Sequence, residues 1–524
     1  MDENSPLIPD EEDVTDNIKL QNDQNDFQND FMNINRWEII PSLWCGAFLA
    51  ALDSTIITAT YTVIGAEFKK SEQASWIATL YMLSSSAFQP LYGGLSDMFG
   101  RKIVLVYANA IFLLGSFGCY LAQTMTQLLV ARVVAGIGGA GLGTLSSIIV
   151  SDLVPLKERS TYNGFANLVF GIGQVIGAPV GGYLADSLGW RYAFLIQCPI
   201  TAISIFIIHY RVHLPVNSSA RARLKDIDFV GSIFLIGGVI LALLALQFLK
   251  SRGLSQITLL TLCCSIFCFM LTFYVESVVQ NPIILIKVLL SRNPLLSGLT
   301  NFFGYMGFFS ITFNIPLFLQ VIHDEPASKA GSRLITSVVG MSVGSLTAGV
   351  ITRKTKRYYE LVVFGVICEI IGSVLVSSFL QQTASWKYQL YLFPSGLGHG
   401  LVLSSTLMAI ISSVKKTEQA KATSMSYLFR VLGSAFGVSL TSTLNSFLLR
   451  KRLTVALDHI PGNKQITDKV MHSFLDIRNL PLGVKGIVKQ EFAGMLHTSF
   501  SLVILIEFVS LSFAVFIKQY SLDR

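Results

Sequence analysis

Long runs of apolar residues alternate with short polar segments along most of this 524-residue chain. A helix that rises about 1.5 Å per residue needs about 20 apolar residues to cross a hydrocarbon core of about 30 Å. The runs predict an all-α integral membrane protein with about fourteen membrane-spanning helices. They lie near residues 39–60, 74–95, 103–122, 127–150, 163–185, 191–210, 229–249, 257–277, 295–320, 334–352, 360–380, 388–411, 424–448 and 497–517.

The composition agrees with a membrane location and excludes several other classes. Hydrophobic residues make up 52% of the chain and charged residues only 14%, which is far more apolar than a soluble protein of this size. All seven cysteines fall inside predicted spans, so we predict neither a disulfide scaffold nor a metal site. The net charge of +7 is spread over short loops, so we predict no nucleic-acid partner.

The basic residues favour one orientation in the membrane. If the N-terminus is cytoplasmic, the short cytoplasmic loops hold more Lys and Arg residues than the opposite short loops, and they include Arg101 and the 353–357 cluster. Cytoplasmic loops carry an excess of positive charge, so we predict that both termini are cytoplasmic. The basic segment 450–492 runs against this rule, because it would lie on the far side. Longer loops obey the rule less strictly.

The spans group into two bundles of six helices with two additional helices between them. The polar, acidic N-terminus predicts a disordered cytoplasmic tail, and the polar stretch after span six predicts a linker. The predicted divisions are the tail 1–36, an N-terminal bundle 37–212, the linker 213–228, two additional helices 229–280 and a C-terminal bundle 281–524.

The tail contains a candidate sorting signal. Glu3 stands four places before the adjacent apolar pair Leu7 and Ile8, which is the form of an acidic dileucine signal read by clathrin-type adaptors. The pattern is short, and a chance match is the alternative. Its position in a flexible cytoplasmic tail favours use as a signal for delivery to a lysosome or vacuole.

A glycine-rich loop, GGLSDMFGRK, joins spans two and three over residues 93–102. Its glycines allow a tight turn and close helix contact, Asp97 can cap the following backbone, and Arg101 can reach a carboxylate such as Asp152 at the end of span four. The loop resembles the signature of the major facilitator superfamily, and its match rests on the five residues Gly93, Asp97, Gly100, Arg101 and Lys102.

The Arg132 segment ARVVAGIGG at 131–139 is similar to the Arg-x-x-x-Gly motif of the superfamily, although Ala135 stands where many members have Gln. LDSTI at 52–56 and WRYAFLIQCP at 190–199 are similar to one branch of the superfamily, the fourteen-span drug:proton antiporters. Span five resembles the antiporter motif at Gly177, Pro179, Gly181 and Gly182, although its proline is displaced by one place. With the dileucine-like tail, the chain most resembles fungal vacuolar basic amino acid permeases.

Asp53 lies inside the first predicted span. An ionised side chain at membrane depth costs at least about 2.5 kcal/mol, so it should face a partner or a water-filled cavity. Arg132 in span four lies at a similar depth below the same surface, so the two side chains can meet. Separation of such a pair favours protonation of the carboxylate, and we predict that Asp53 couples protons with Arg132 as its counter-charge. The alternatives are a structural hydrogen bond for Asp53 and a simple anchor for Arg132.

Further ionisable residues in later spans are candidates for substrate binding. A cationic substrate would need acidic partners, for which Asp53, Glu369 and Glu507 are available. Arg430 and His399 suit an anion instead, and the α-carboxylate of an amino acid would reconcile the two sets.

These observations predict a proton-coupled transporter of basic amino acids in the vacuolar membrane that works by alternating access. The sequence has no Walker motif and no catalytic cluster, so we expect neither a cofactor nor an enzyme activity. The expected partners are protons, a small-molecule substrate, the lipid bilayer and a clathrin-type adaptor. The main alternative is a plasma-membrane multidrug:proton antiporter, and a transport-inactive nutrient sensor is a third possibility.

Overall fold

The computed structural model describes the fourteen predicted spans and most of their connections. The predicted sorting signal and the 213–228 linker lie outside the described residues. Helices are the regular elements of the part of the chain that is described. The described residues are 36–68, 75–211, 229–279, 286–325, 327–378, 385–460, 463–472, 477 and 480–522.

The first six predicted spans form seven helices, because span six is divided at Ile196. Thr124 and Gln127 form a capping box at the start of the fourth helix, which satisfies backbone N–H groups that would otherwise lack partners. The helices are α1 Arg36–Glu67, α2 Ser75–Phe99, α3 Arg101–Leu121, α4 Met125–Leu153, α5 Leu156–Ser187, α6 Arg191–Leu195 and α7 Gln197–Arg211.

The remaining spans form eight long helices, accompanied by three short ones and a 3-10 turn at Lys416–Glu418. They are α8 Phe229–Arg252, α9 Gln256–Val278, α10 Ile286–Leu289, α11 Arg292–Ile322, α12 Ala327–Ser332, α13 Ile335–Thr355, α14 Tyr359–Ser377, α15 Ser385–Ser413, α16 Gln419–Ala456, α17 Asn463–His472 and α18 Leu482–Ala514.

The lengths and compositions of these helices confirm a multi-pass membrane protein. Within the described ranges, 12 helices are long and apolar enough to cross a membrane when α6 and α7 are taken together. The other two predicted spans are also helical: α2 has 25 residues, and α8 contains the shorter apolar stretch Val230–Ala245. Large apolar side chains such as Leu260, Phe267 and Tyr274 are exposed on α9, as expected for a surface that faces lipid.

The helices pack as two bundles with a peripheral pair. In one bundle α1 packs on α5, α2 on α4 and α3 on α4; in the other, α11 packs on α16 and α18, and α13 and α14 pack on α15. The bundles meet where α5 contacts α13 and α2 contacts α16. The additional helices α8 and α9 pack on each other, and α8 fills the groove beside α2 and α16.

Polar contacts join the two bundles at the end that the charge pattern predicts to be cytoplasmic. Arg159 Nη1 donates to Gln419 Oε1 at 2.8 Å, and Arg353 forms an ion pair with Glu158 at 3.1 Å. Burial lowers the pKa of Arg159 to about 10, and the charge of Asp152 opposes this shift. At about pH 7 the guanidinium therefore still carries its charge.

On the side opposite the predicted cytoplasmic end, parts of three helices of the C-terminal bundle lie beyond the bilayer. The 38 residues of α16 extend about 57 Å at 1.5 Å per residue, well beyond a core of about 30 Å. We call residues 449–456 of α16, the whole of α17 and residues 482–495 of α18 the extension. Its apolar side chains, including Leu453, Val470 and Phe492, continue the core of the C-terminal bundle.

Several basic residues of the extension form ion pairs with acidic residues. Arg450 pairs with Asp468 at 3.0 Å, and Lys489 pairs at 2.7 Å with Asp324, which follows α11. Arg452 reaches Glu491 at 3.4 Å. In the described parts of the segment that runs against the positive-inside rule, several positive charges therefore have acidic partners.

Candidate functional site

The structure brings Asp53 and Arg132 together inside the N-terminal bundle. Arg132 Nη1 donates to both Asp53 Oδ1 and Asp53 Oδ2 at 2.9 Å. The side chains are 0% and 1% exposed, so water does not screen their attraction. Burial of the two charges is costly, and the close contact between them offsets much of this cost.

Neighbouring helices complete the surroundings of this pair. Gln197 Nε2, at the start of α7, donates to Asp53 Oδ1 at 3.2 Å, and Arg132 Nε donates to the Ile77 carbonyl of α2 at 3.2 Å. The Arg132 guanidinium also lies 4.3 Å from the centre of the Tyr81 ring, a cation–π contact. We call Asp53, Arg132 and Gln197 the N-terminal centre.

Sequence reasoning gave no role to Gln197, although it falls in the segment 190–199. That segment also fixes the end of α1, because Trp190 Nε1 and Arg191 Nη1 both donate to Glu67, at 2.6 and 2.7 Å. Trp190 is almost fully buried. The contacts hold the start of span six against span one, and they thereby set the position of the Gln197 amide beside Asp53.

A second polar cluster lies inside the C-terminal bundle. His399 Nδ1 of α15 is 2.8 Å from Glu369 Oε1 of α14, and Glu507 of α18 is close enough for the charge of Glu369 to act on it. All three side chains are almost fully buried. We call Glu369, His399 and Glu507 the C-terminal centre.

Helix α11 supplies one wall of the C-terminal centre. The His399 ring stacks on Phe308 with ring centres 4.1 Å apart and planes 5° apart, and it meets the edge of Tyr305 at 4.5 Å. Gly304 faces Glu369, and Gly307 faces Glu507 one turn further along. A methyl group at Gly307 would lie 3.0 Å from Glu507 Oε1, whereas one at Gly304 would make ordinary contact with Glu369. The lack of a side chain therefore gives the carboxyl group space mainly at Gly307.

Arg430 of α16 lies beside the C-terminal centre, with its guanidinium 6.0 Å from the centre of the Tyr305 ring. It donates to the Leu403 carbonyl at 3.3 Å, and its guanidinium lies 4.9 Å from the centre of the Tyr427 ring. Among the described residues no ion pair joins it to Glu369 or Glu507. Of the five substrate-binding candidates, the structure therefore groups Glu369, His399 and Glu507 together and places Arg430 next to them. Asp53 lies in the other bundle.

The glycine-rich loop holds an ion-paired arginine. Arg101 Nε donates to Asp152 Oδ2 at 2.8 Å, and Arg101 Nη1 is 2.6 Å from Asp97 Oδ1. Asp97 does not cap the following backbone as the sequence suggested: α3 begins after Gly100, which makes no side-chain cap, and Asp97 pairs with Arg101 instead. Gly100 has a φ of 90°, a conformation that favours glycine.

The other residues of the loop make contacts outside it. Lys102 Nζ donates to the His209 carbonyl near the end of α7 at 2.7 Å. Gly93 faces Ala420 and Ser424 of α16, so this position lies at the contact between the bundles.

The antiporter-like motif of α5 lies along α1. Gly177 faces Leu52 and Thr55, and Gly181 faces Ile56, one turn further along. Gly182 is half-buried, and Pro179 lies within the helix with its ring exposed. The motif therefore packs beside the Asp53 segment.

Neither centre has the arrangement of a metal site. No group of three or more His, Cys, Asp or Glu residues that could hold a metal ion occurs in the described part of the chain. Two helical bundles, a bundle interface and buried ionisable groups instead define a membrane transporter. The sequence model of the Major Facilitator Superfamily matches residues 43–438, and the chain belongs to this superfamily.

Comparison with known proteins places the chain among fungal relatives. It is 39% identical over 509 residues to multidrug resistance protein fnx1 of Schizosaccharomyces pombe, covering 94% of this chain and 95% of the relative. It is 37% identical over 495 residues to the vacuolar membrane amino acid uptake transporter fnx2 of the same organism, covering 93% and 85%. It is 33% identical over 475 residues to vacuolar basic amino acid transporter 1 of Saccharomyces cerevisiae, covering 84% and 83%.

The fold also resembles solved structures. The human organic anion transporter MFSD10 matches with a TM-score of 0.59 at 14% identity, covering 90% of this chain and 99% of that chain. At this identity the likeness shows the fold alone. The family and the relatives make this chain a transporter rather than an enzyme.

Proposed function

We propose that this protein moves basic amino acids across the vacuolar membrane in exchange for protons by alternating access. The observation that carries the proton-coupled part is the buried contact of Arg132 with both oxygens of Asp53. The relatives named as vacuolar amino acid transporters support the substrate class and the membrane.

Asp53 is the proposed coupling residue because its charge depends on a partner that can move. While Arg132 is in contact, its guanidinium balances the charge of the carboxylate. When a shift of α1 against α4 during the transport cycle separates the pair, an isolated buried carboxylate becomes costly and the group takes a proton. The Gln197 amide can then remain as a hydrogen-bond partner of either form.

Substrate recognition requires groups of both signs. Asp53 is a proposed partner for the cationic groups of the substrate, and Arg430 for its α-carboxylate. Glu369 and Glu507 are further candidates for the cationic groups and His399 for the α-carboxylate, unless these three residues bind protons instead. The Arg101–Asp152 contact is the proposed gating element, because it ties the loop after α2 to the end of α4.

A second candidate function is multidrug:proton antiport at the plasma membrane. It is favoured by the relative named multidrug resistance protein fnx1, which aligns with nearly the whole chain. The same bundles and the same Asp53–Arg132 pair would serve either substrate class.

Uptake of labelled arginine, lysine and histidine into isolated vacuoles, with and without a proton gradient, tests the proposal. We expect uptake that requires both the protein and the gradient. Asp53→Asn should abolish it, whereas Glu276→Gln, a buried position on α9 outside both centres, is the matched control and should retain it. Gradient-independent uptake by the parent protein, or gradient-driven uptake by Asp53→Asn, would remove the proposed mechanism.

The destination is proposed to depend on Glu3, Leu7 and Ile8 through a clathrin-type adaptor. Such an adaptor reads a short exposed peptide, so the signal can be removed without disturbing a span. We expect the Leu7→Ala, Ile8→Ala double variant to move from the vacuole to the cell surface, as followed by fluorescence of a tagged protein. Ser5→Ala is the control within the tail. Unchanged vacuolar fluorescence would count against the signal, and a parent protein at the plasma membrane would favour drug export.

A further inference from the structure

The C-terminal centre contains buried carboxyl groups whose oxygen atoms are only partly paired with protein groups. Both carboxylate oxygens of Glu507 and Oε2 of Glu369 have no hydrogen-bond partner among the described residues. The Ser373 hydroxyl faces Glu507 without completing a hydrogen bond. Isolated ionised carboxylates are too costly to keep in such surroundings, so an ion must bind there or the groups must bind protons.

The packing of the centre discriminates among possible cations. The C-terminal centre does not have a metal-site arrangement, and its imidazole is held between Phe308 and Tyr305. Gly304 and Gly307 place the backbone of α11 directly against the carboxyl groups. The side chains of Glu369 and Glu507 are 1% and 0% exposed. A proton needs no further ligands and no space beyond one oxygen atom, so it fits this enclosure better than the ammonium or guanidinium group of a substrate.

The contact between His399 and Glu369 needs one shared hydrogen, which a neutral imidazole can supply from its own ring N–H. Two acceptors at 2.8 Å repel each other unless one of them carries a hydrogen, so a hydrogen lies on His399 Nδ1 or on Glu369 Oε1. The other groups that face the centre are Cys368 on α14, Tyr305 on α11, and Arg430 with Tyr427 on α16. None of these residues forms an ion pair with the glutamates in the described structure.

We propose that Glu369, His399 and Glu507 form a second proton-binding site, separate from Asp53, which binds and releases a proton during each transport cycle. This inference rests on the proposed proton-coupled function. The proton bonds to a carboxylate oxygen of Glu369 or Glu507 when the centre opens to one side, and it returns to water when the centre opens to the other. His399 provides the hydrogen-bond partner that lets Glu369 exist in both forms.

The transport test uses the full-length protein in proteoliposomes with the membrane potential clamped at zero. Under a gradient of about one pH unit, each coupled proton raises the achievable accumulation ratio about tenfold. We therefore expect Glu369→Gln and Glu507→Gln to lower the steady-state arginine gradient about tenfold while keeping the KM for arginine counterflow. Glu276→Gln should match the parent. An unchanged gradient, or a raised counterflow KM without loss of accumulation, would overturn the proposal and favour substrate contact.

A spectroscopic test separates this site from the proposed function. Infrared difference spectra of the purified protein, taken across a pH titration, report protonated carboxyl groups whether or not arginine is transported. We expect a protonated-carboxyl band that is lost in the Glu369→Gln, Glu507→Gln double variant and retained in Asp53→Asn. Identical spectra for the parent and the double variant would overturn the site. Absence of gradient-driven arginine uptake by the parent would overturn the proposed function alone.

Discussion

The two bundles build comparable centres with different charge. In each bundle the first, fourth and sixth spans contribute: α1, α4 and α7 around Asp53, and α11, α15 and α18 around His399. The N-terminal centre balances one carboxylate with one guanidinium in direct contact. The C-terminal centre combines two carboxyl groups with one imidazole. The same helical framework thus holds a carboxylate against a guanidinium in one half and two carboxyl groups beside an imidazole in the other.

Because their charges differ, we expect the two centres to respond differently when the helices around them move. In the proposed mechanism, the N-terminal centre responds when Asp53 and Arg132 separate and their direct contact is lost. In the described structure no ion pair joins Arg430 to the glutamates of the C-terminal centre, so we expect that centre to respond to access of water instead. Variants that change the charge or the packing of one centre at a time test this contrast.

The largest effect is expected from breaking the charge balance of the N-terminal centre. Asp53→Asn leaves Arg132 buried and unpaired, which should lower the free energy of unfolding by about 3–5 kcal/mol and abolish gradient-driven uptake. Thermal unfolding and arginine uptake measure the two effects. The Asp53→Asn, Arg132→Gln double variant removes both charges, so it should regain much of the stability without regaining uptake. Recovery of uptake together with stability would reduce the pair to a structural role.

A smaller effect is expected from filling space in the C-terminal centre. A methyl group at Gly307 would lie 3.0 Å from Glu507 Oε1, whereas one at Gly304 would lie 3.4 Å from Glu369 Oε2. Gly307→Ala should therefore destabilise the protein by about 1–3 kcal/mol and lower arginine accumulation, with Gly304→Ala the milder matched variant. Thermal unfolding and steady-state accumulation provide the measurements. Equal effects of the two substitutions would show that packing against the carboxyl groups does not control the centre.

The bundles can also be compared at the ends that the charge pattern predicts to be cytoplasmic. Arg101 pairs within its own bundle and is largely buried, whereas Arg353 reaches across to Glu158 and is 57% exposed. We expect Arg101→Gln to shift the balance of inward-open and outward-open states about fivefold, a change of about 1 kcal/mol, and Arg353→Gln to shift it less. Spin-label distances between α2 and α16 would report the populations. A larger shift for Arg353→Gln would place the gating contact between the bundles instead.

The smallest effect is expected from Asp324 and Glu325, which follow α11 and should not contribute to the pH dependence of uptake. Burial raises the pKa values of Asp324 and Glu325, but hydrogen bonds and charges from Lys489 and Arg333 outweigh it and lower both. Because both pKa values are lower in the folded protein, the contacts of these two carboxylates stabilise it fully above about pH 4.3. This stabilisation is lost only as the pH falls through the lowered pKa values. The Asp324→Asn, Glu325→Gln double variant should leave the pH profile of uptake unshifted between about pH 5 and 7. A shifted profile would mean that the two centres are not the only source of pH dependence.

Much of the fold follows from the sequence because the membrane sets the length of each span. Every predicted span coincides with a helix, and the ionisable residues Asp53 and Arg132 could be paired because they interrupt apolar runs at similar depths. The C-terminal centre could not be assembled in this way. Its helices are apolar on nearly every side, so the sequence does not reveal which face of α14 or α18 points inward.

Two residues show where side-chain detail escapes sequence reasoning. Gln197 has no charge to mark it, and its contact with Asp53 depends on how Trp190 and Arg191 hold the start of span six. Asp97 precedes a helix at a spacing suitable for capping, yet the nearby Arg101 offers a stronger, charged partner. Both the cap and the ion pair of Asp97 are compatible with the sequence, and the structure shows that the ion pair forms.

The extension on the far side of the C-terminal bundle has a practical consequence for reconstitution. A transporter can enter an artificial vesicle in either direction, and the direction of a pH gradient has meaning only when the insertion is known. The extension is a folded landmark that the structure places at one end of the bundle, with exposed charges at Arg450 and Asp468. An antibody fragment raised against it would reach only molecules with that end outside, so it could count and select one orientation before any flux is measured.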